Sequence, residues 1–233
     1  VTPEGKASIF IKMPKGSVVN GIRFSSNEEM FLADYTGHNI LKSDAKGNIF
    51  VFAHNASMNQ PNDLAIMDNN TLFASDPNWA KGTGQLWRIS SNGKTTCLEK
   101  NMGTTNGVEV SPDQKKLYVN ESKQLKLWVY DLSEDGNISN KKLLYKFKGG
   151  GLDGMRCDTL GNIYVTRWGS GIVVVVSPQV KLLRTIKLSG MQPTNIAFGG
   201  SDGRTAYVTL ADKGNIETFR VEAPGRSWQM RNK

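Results

Sequence analysis

The chain has 233 residues, a formal net charge of +8 and 24 glycines. That length allows one large domain or two small ones, and no apolar run approaches the roughly 18 residues of a membrane-spanning helix. The basic residues are dispersed rather than gathered into a patch, so the charge argues against a nucleic-acid partner and instead favours anionic ligands at long range.

The first element in chain order is the segment 1–19. Within it, "KASIFIKMP" (6–14) has the composition of a β-strand, and "VTPEG" (1–5) matches the turns that precede similar strands further along the chain. We therefore interpret this segment as the outer part of a four-stranded unit whose inner strands would precede Val1. A signal peptide is not visible at the start.

A four-stranded pattern begins at Asn20 and recurs along the chain. Its later copies begin at Asn62, Asn106, Asp153 and Thr194, at intervals of 42, 44, 47 and 41 residues. In each copy an alternating apolar strand leads into a turn rich in Asn, Asp, Gly and Ser, and second strands such as "LYVN" and "IYVT" follow. Four short strands in roughly 40–50 residues, without helical periodicity, predict one blade of a β-propeller.

Five complete copies and the partial unit predict an all-β fold, a six-bladed β-propeller whose first blade is incomplete at the N-terminus. We expect residues 1–233 to form a single propeller domain, with blades starting near residues 20, 62, 106, 153 and 194. Residues 1–19 would form the outer part of the first blade. Because a closed ring leaves no unpaired strand edge, an upstream segment that completes this blade is favoured.

The five residues that start the copies, here called the openers, are candidates for a shared site. The first strand of each propeller blade lines the central channel, so Asn20, Asn62, Asn106, Asp153 and Thr194 would converge on the axis. Their carboxylate and amide oxygens suit Ca²⁺ best, with Mg²⁺ and Mn²⁺ as alternatives. Zn²⁺ is a further alternative, disfavoured because neither histidine nor cysteine opens a copy. The competing interpretation is that Asn and Asp before Gly are simply turn formers.

Four stretches carry a resemblance to a known family. They are "QPNDLAI" (60–66), "TNGVEVSPDQKKLYVNES" (105–122), "LDGMRCDTLGNIYVTRW" (152–168) and "PTNIAFGGSDGRTAYVT" (193–209). Over nearly its whole length the sequence resembles the gluconolactonase, regucalcin and senescence-marker-protein family, and more distantly the squid-type diisopropyl fluorophosphatase. The resemblance implies a six-bladed propeller with a divalent metal, often Ca²⁺, near the channel centre. It also implies hydrolysis of lactones, with organophosphates as substrates of some relatives.

Carried over residue by residue, the resemblance implies metal ligation by Asn106 and Asp153. It adds Asn62, which would be a direct ligand as in the phosphatase-like and bacterial lactonase-like members, whereas in the sugar-lactonase members the equivalent Asn lies nearer the substrate. Two positions depart from the family pattern. The first family ligand, a Glu in an "EGP" motif, is not matched here and would belong to the upstream half-blade. Gln60 stands where sugar-lactonase members often carry Arg, and its neutral amide can still bond a hydroxyl group.

These observations predict a metal-dependent carboxylic-ester hydrolase that opens a small lactone ring, as a gluconolactonase does. The metal would polarise the carbonyl, and Asp153 would bind the metal and orient or activate the attacking water. Asn20, Gln60, Asp76 and Trp168 are predicted to bind the substrate. The alternatives are an organophosphate or phosphotriester hydrolase of the same fold and a non-enzymatic Ca²⁺-binding propeller. The expected partner is a small-molecule lactone rather than nucleic acid or a membrane.

Overall fold

The computed structural model of the protein describes residues 2, 4–44 and 46–232, which form five antiparallel sheets and one short helix. The first sheet contains β1 (Val19–Phe24), β2 (Met30–Asp34), β3 (Asn39–Ser43) and β4 (Ile49–His54). The second contains β5 (Leu64–Ile66), β6 (Leu72–Asp76), β7 (Gly84–Ile89) and β8 (Thr95–Met102). The third contains β9 (Thr105–Val110), β10 (Lys116–Glu121), β11 (Lys126–Leu132) and β12 (Ile138–Lys146).

The fourth sheet contains β13 (Met155–Cys157), β14 (Ile163–Arg167), β15 (Ile172–Val176) and β16 (Leu182–Lys187). The fifth contains β17 (Pro193–Gly199), β18 (Thr205–Leu210) and β19 (Asn215–Arg220), and α1 (Arg226–Arg231) follows it. Strands pair with their neighbours in chain order within every sheet, as in propeller blades. None of the residues described here belongs to a helix long and apolar enough to cross a membrane.

The all-β propeller architecture is confirmed, but the prediction of six blades is wrong because the described residues form five. The segment 1–19 was expected to supply outer strands, yet residues 4–18 contain no strand. A strand needs a neighbouring strand for its backbone hydrogen bonds, and an apolar run alone does not provide one. Instead, Ile11 and Met13 pack on the face of the first sheet that carries Leu32.

The hydrophobic core lies between successive sheets. Phe31 and Ala33 of β2 pack against the second sheet, while Leu32 points to the opposite face, as the two-residue period of a strand requires. Comparable buried clusters join the second sheet to the third, the third to the fourth and the fourth to the fifth. Between β1 and β17 the described residues instead line a groove of about 400 Å³, with Ile22 43% exposed at its edge.

Neighbouring blades approach each other closely at the axis. The backbone N–H of Gly21 donates to the Asn62 carbonyl, and that of Gly154 donates to the Thr194 carbonyl, both at 2.7 Å. A Cβ on Gly154 would clash with the Asn195 side chain and lie 2.9 Å from its Cα. Glycine directly after an opener therefore lets the backbone of the next blade come near enough to place its own opener beside the first.

The helix α1 crosses the end of the channel opposite to the openers. Gly225, just before it, bridges to Asp158, which lies beyond the far end of β13. Met230 of α1 enters the core between the first and second sheets. The helix thus connects the fifth sheet to the opposite side of the propeller.

Candidate functional site

All five openers line one cavity of about 680 Å³ at one end of the channel. The strands that follow them all begin at this end, which is why residues about 40 positions apart in sequence become neighbours. The other lining residues are Tyr35, Trp79, Ser122, Lys123, Gly150, Gly151 and Trp168. The structure therefore brings Asn20, Asn62, Asn106, Asp153 and Trp168 of the predicted site into one place.

Asp153 is the single carboxylate among the described residues that line this cavity. Its backbone is fixed, because its N–H donates to the Thr166 carbonyl at 3.1 Å and its carbonyl accepts from Asn120 Nδ2 at 2.7 Å. Burial raises the pKa of Asp153 to about 8; a hydrogen bond from Asn106 opposes the rise, and the negative charge of Asp63 adds to it. The carboxyl group is thus held in a setting that penalises its negative charge.

Beside Asp153, one amide oxygen accepts no hydrogen bond from the described residues. Asn106 is 3% exposed, and its Oδ1 has no hydrogen-bond partner among the described residues. A desolvated carboxyl next to an unpaired amide oxygen is electrostatically incomplete, and a hard cation would satisfy both. The oxygens of Asn62, Asn106 and Asp153 therefore fit the ligand chemistry of a divalent metal. Groups of three or more His, Cys, Asp or Glu able to hold a metal are absent from the described part of the chain, so amide oxygens would be essential donors.

A rim of larger side chains surrounds the openers. Tyr35 directly follows β2, Trp79 lies in the loop after β6, Lys123 lies just after β10 and Trp168 directly follows β14. Each occupies the connection between the second and third strand of its blade, which opens on the same face as the openers. The predicted site included Trp168 and missed the other three, although Tyr35 directly follows its second strand just as Trp168 does.

Gln60 and Asp76 hold the rim in place but do not line the cavity. The Gln60 Oε1 accepts from the backbone N–H of Trp79 at 3.1 Å, and the Gln60 side chain also bonds the Tyr35 hydroxyl. Asp76 is fully buried and accepts hydrogen bonds from the backbone of Gln60 at 2.6 Å and from Trp87 Nε1 at 3.0 Å. Gln60 and Asp76, two of the four residues predicted to bind substrate, therefore lie behind the residues that line the cavity.

Beneath the openers, a network of buried ion pairs fills the channel. Asp63 accepts hydrogen bonds from Arg23 Nη1 at 3.3 Å and from Arg156 Nη1 at 3.1 Å. Glu109 lies 3.8 Å from Arg23, 4.0 Å from Arg156 and 3.6 Å from Arg226 of α1. We call these five residues the channel network. It ties together four sheets and the helix.

The charges of this network shift the pKa values of two of its members. Burial, followed by repulsion from Arg156, lowers the pKa of Arg23 to about 10. Although burial opposes its ionisation, Asp63 has a lowered pKa because the guanidinium groups of Arg156 and Arg23 lie beside it. Each buried charge is tolerated only because its counter-ions are in contact with it.

The fold and the site together define the class of this protein: an all-β propeller with a polar, carboxylate-bearing cavity on its axis. The family description "SMP-30/Gluconolactonase/LRE-like region" matches residues 1–212, and the chain belongs to that family. The resemblance inferred from the opener motifs is thereby confirmed.

The chain is 32% identical over 158 residues to a 6-deoxy-6-sulfogluconolactonase of Pseudomonas putida, a match that covers 61% of this chain and 54% of that protein. It is 25% identical to a gluconolactonase of Zymomonas mobilis, covering 96% and 72%. The chain thus spans about half the length of the first of these relatives.

Two solved structures show the same fold. One is a regucalcin of Agrobacterium tumefaciens described as a calcium-binding protein, with a TM-score of 0.79, 22% identity, and coverage of 90% of this chain and 78% of that one. The other is a gluconolactonase of Xanthomonas campestris, with a TM-score of 0.77, 19% identity and coverage of 88% and 72%. At such identities the likeness shows the propeller architecture alone.

Proposed function

We propose that the protein hydrolyses a small lactone, adding water to the ring ester and releasing a hydroxy acid. The observation that carries the proposal is the convergence of the Asp153 carboxyl group and the amides of Asn62 and Asn106 in one axial cavity. Relatives named as a sulfogluconolactonase and a gluconolactonase support a sugar lactone as the substrate class.

In the proposed mechanism Asn62, Asn106 and Asp153 would hold a divalent cation, Ca²⁺ by preference, and such a cation would polarise the lactone carbonyl. A carboxylate oxygen of Asp153 accepts a hydrogen bond from the attacking water and takes its proton as the water oxygen bonds to the carbonyl carbon. The ring carbon–oxygen bond then breaks, and the proton passes to the departing ring oxygen. Asn106 keeps the Asp153 carboxyl in position through the hydrogen bond between them.

The rim provides the walls for the substrate ring. Trp79 and Trp168 both line the cavity, and their indole rings offer large apolar faces against which the carbon skeleton of a sugar packs. Asn20 and Thr194 stand at the same level and present polar groups that bond hydroxyls.

The test is Asp153→Asn, assayed with a panel of lactones in a pH-stat with added Ca²⁺. We expect turnover to fall about a hundredfold or more, the usual contribution of a positioned acid–base group, while the circular dichroism spectrum is unchanged. The matched control is Asp202→Asn, because Asp202 lies far from the cavity and 46% of its side chain is exposed. Unchanged turnover in Asp153→Asn would contradict the proposed mechanism.

The same panel separates the alternatives. Turnover of a phosphotriester without turnover of any lactone would favour the organophosphate hydrolase. Calorimetric Ca²⁺ binding that depends on Asp153, without turnover of either substrate, would favour a non-enzymatic calcium-binding propeller, in keeping with the description of the regucalcin structure.

A further inference from the structure

One positive charge stands on the rim of the axial cavity. Of the described residues that line the cavity, two are charged, Asp153 among the openers and Lys123 on the rim. The backbone at Lys123 is anchored, since its N–H donates to Thr104 Oγ1 at 2.9 Å and the preceding N–H of Ser122 donates to the Thr104 carbonyl at 2.8 Å. Thr104 is fully buried, so the attachment point of the lysine is fixed while its side chain is exposed.

The ammonium group of Lys123 lies beside an indole and has no carboxylate partner among the residues that the structure describes. Its Nζ is 5.9 Å from the centroid of the Trp79 ring and 3.4 Å from the Trp79 carbonyl oxygen. Within the described chain none of the ion pairs involves Lys123, whereas Lys42, Lys116 and Lys141 each contact an acidic side chain. The rim lysine thus retains the capacity to bind an anion that enters the cavity.

This arrangement gives the cavity two ends of different chemistry. The carboxyl and amide groups at the axis suit the ester end of a ligand, and the Lys123 ammonium group on the rim suits a negative group at the other end. The indole ring beside the ammonium covers the apolar carbons between them. The net charge of +8 adds a long-range attraction for anions.

We propose that Lys123 and Trp79 form a subsite for an anionic group carried by the substrate, so that the preferred substrates are sugar lactones bearing a carboxylate, sulfonate or phosphate remote from the ring ester. The inference rests on the proposed lactonase function only in that it calls the ligand a substrate. The subsite itself is a binding property and can be measured without turnover.

The binding test compares 1,5-anhydroglucitol with 1,5-anhydroglucitol 6-phosphate, two rings that lack the ester. Calorimetry on the wild-type protein is expected to show at least about tenfold tighter binding of the phosphate, the scale of one charge-assisted hydrogen bond. Lys123→Gln should remove this preference and keep the affinity for the neutral ring. Lys187→Gln is the matched control, because it makes the same change in net charge at an exposed position on β16 outside the cavity.

The kinetic test compares glucono-1,5-lactone with its 6-phosphate. In Lys123→Gln the value of kcat/KM for the phosphate should fall about tenfold, mainly through KM, and the value for the neutral lactone should stay constant. Equal affinities of the wild-type protein for the two anhydro sugars would overturn the subsite, as would equal effects of the Lys123 and Lys187 substitutions. A binding preference that depends on Lys123 without hydrolysis of either lactone would support the subsite and reject the lactonase proposal.

Discussion

Asp63→Asn tests whether the channel network stabilises the fold through charge balance. Asp63 is 1% exposed and is the one carboxylate of the described network within hydrogen-bond distance of both Arg23 and Arg156. The substitution leaves Arg23 and Arg156 to share Glu109, at 3.8 and 4.0 Å, with Arg226, which lies 3.6 Å from the same carboxylate. Removing one partner of a buried ion pair costs about 3–5 kcal/mol, so the free energy of unfolding should fall by that amount.

The assay is urea unfolding followed by tryptophan fluorescence, in EDTA so that metal binding does not contribute. Asp202→Asn, which removes the exposed partner of Arg220, should leave the urea midpoint unchanged. In Asp63→Asn combined with Arg156→Gln the loss should be smaller than the sum of the two single losses, because one positive and one negative charge leave together. A loss below about 1 kcal/mol for Asp63→Asn, as for an exposed pair, would refute the reasoning.

Three further outcomes follow from the site and the axis. Gln60→Leu removes the hydrogen bonds that hold Tyr35 and Trp79, so KM for the lactone should rise roughly two- to tenfold with kcat nearly constant; an unchanged KM would show that the rim is held by other contacts. Gly154→Ala forces a Cβ against Asn195, so the free energy of unfolding, measured by heat or urea, should fall by about 1–3 kcal/mol. An unchanged free energy of unfolding would mean that the two blades move apart without cost. Calcium at a hundred times its dissociation constant should stabilise the wild-type protein by about 2.7 kcal/mol relative to EDTA, and calcium-independent melting would argue against a metal site.

The repeat made the opener cluster predictable. A polar residue that recurs near the start of each first strand predicts convergence on the axis, and the structure gathers Asn62, Asn106 and Asp153 there. The segment 1–19 could not be assigned in the same way, because the pairing of an outer strand depends on a neighbour that its own composition does not specify. Ile11 and Met13 instead pack their apolar side chains against the first sheet.

The rim and the channel network were missed for different reasons. Trp79 lies in the loop 77–83, which is longer than the loops 35–38, 122–125 and 168–171, and Lys123 lies one position further into its loop than Tyr35 and Trp168 do, so the repeat does not align these two side chains. The network did leave a signal, since Arg23, Glu109 and Arg156 each stand three residues after an opener, inside strands that are otherwise apolar. A charge at such a position has to find a partner on another blade, and only the assembled ring shows which one.

The channel network also limits the directions from which a ligand can reach the axial cavity. Because buried side chains from four blades and α1 occupy the axis beneath the openers, they form a floor under the cavity, and Tyr35, Trp79, Lys123 and Trp168 surround its mouth. A ligand that enters through this mouth passes Lys123 and the aromatic rings of the rim. If Lys123 binds an anionic substrate as proposed, a product with the same negative group would pass the same ammonium group when it leaves through this mouth.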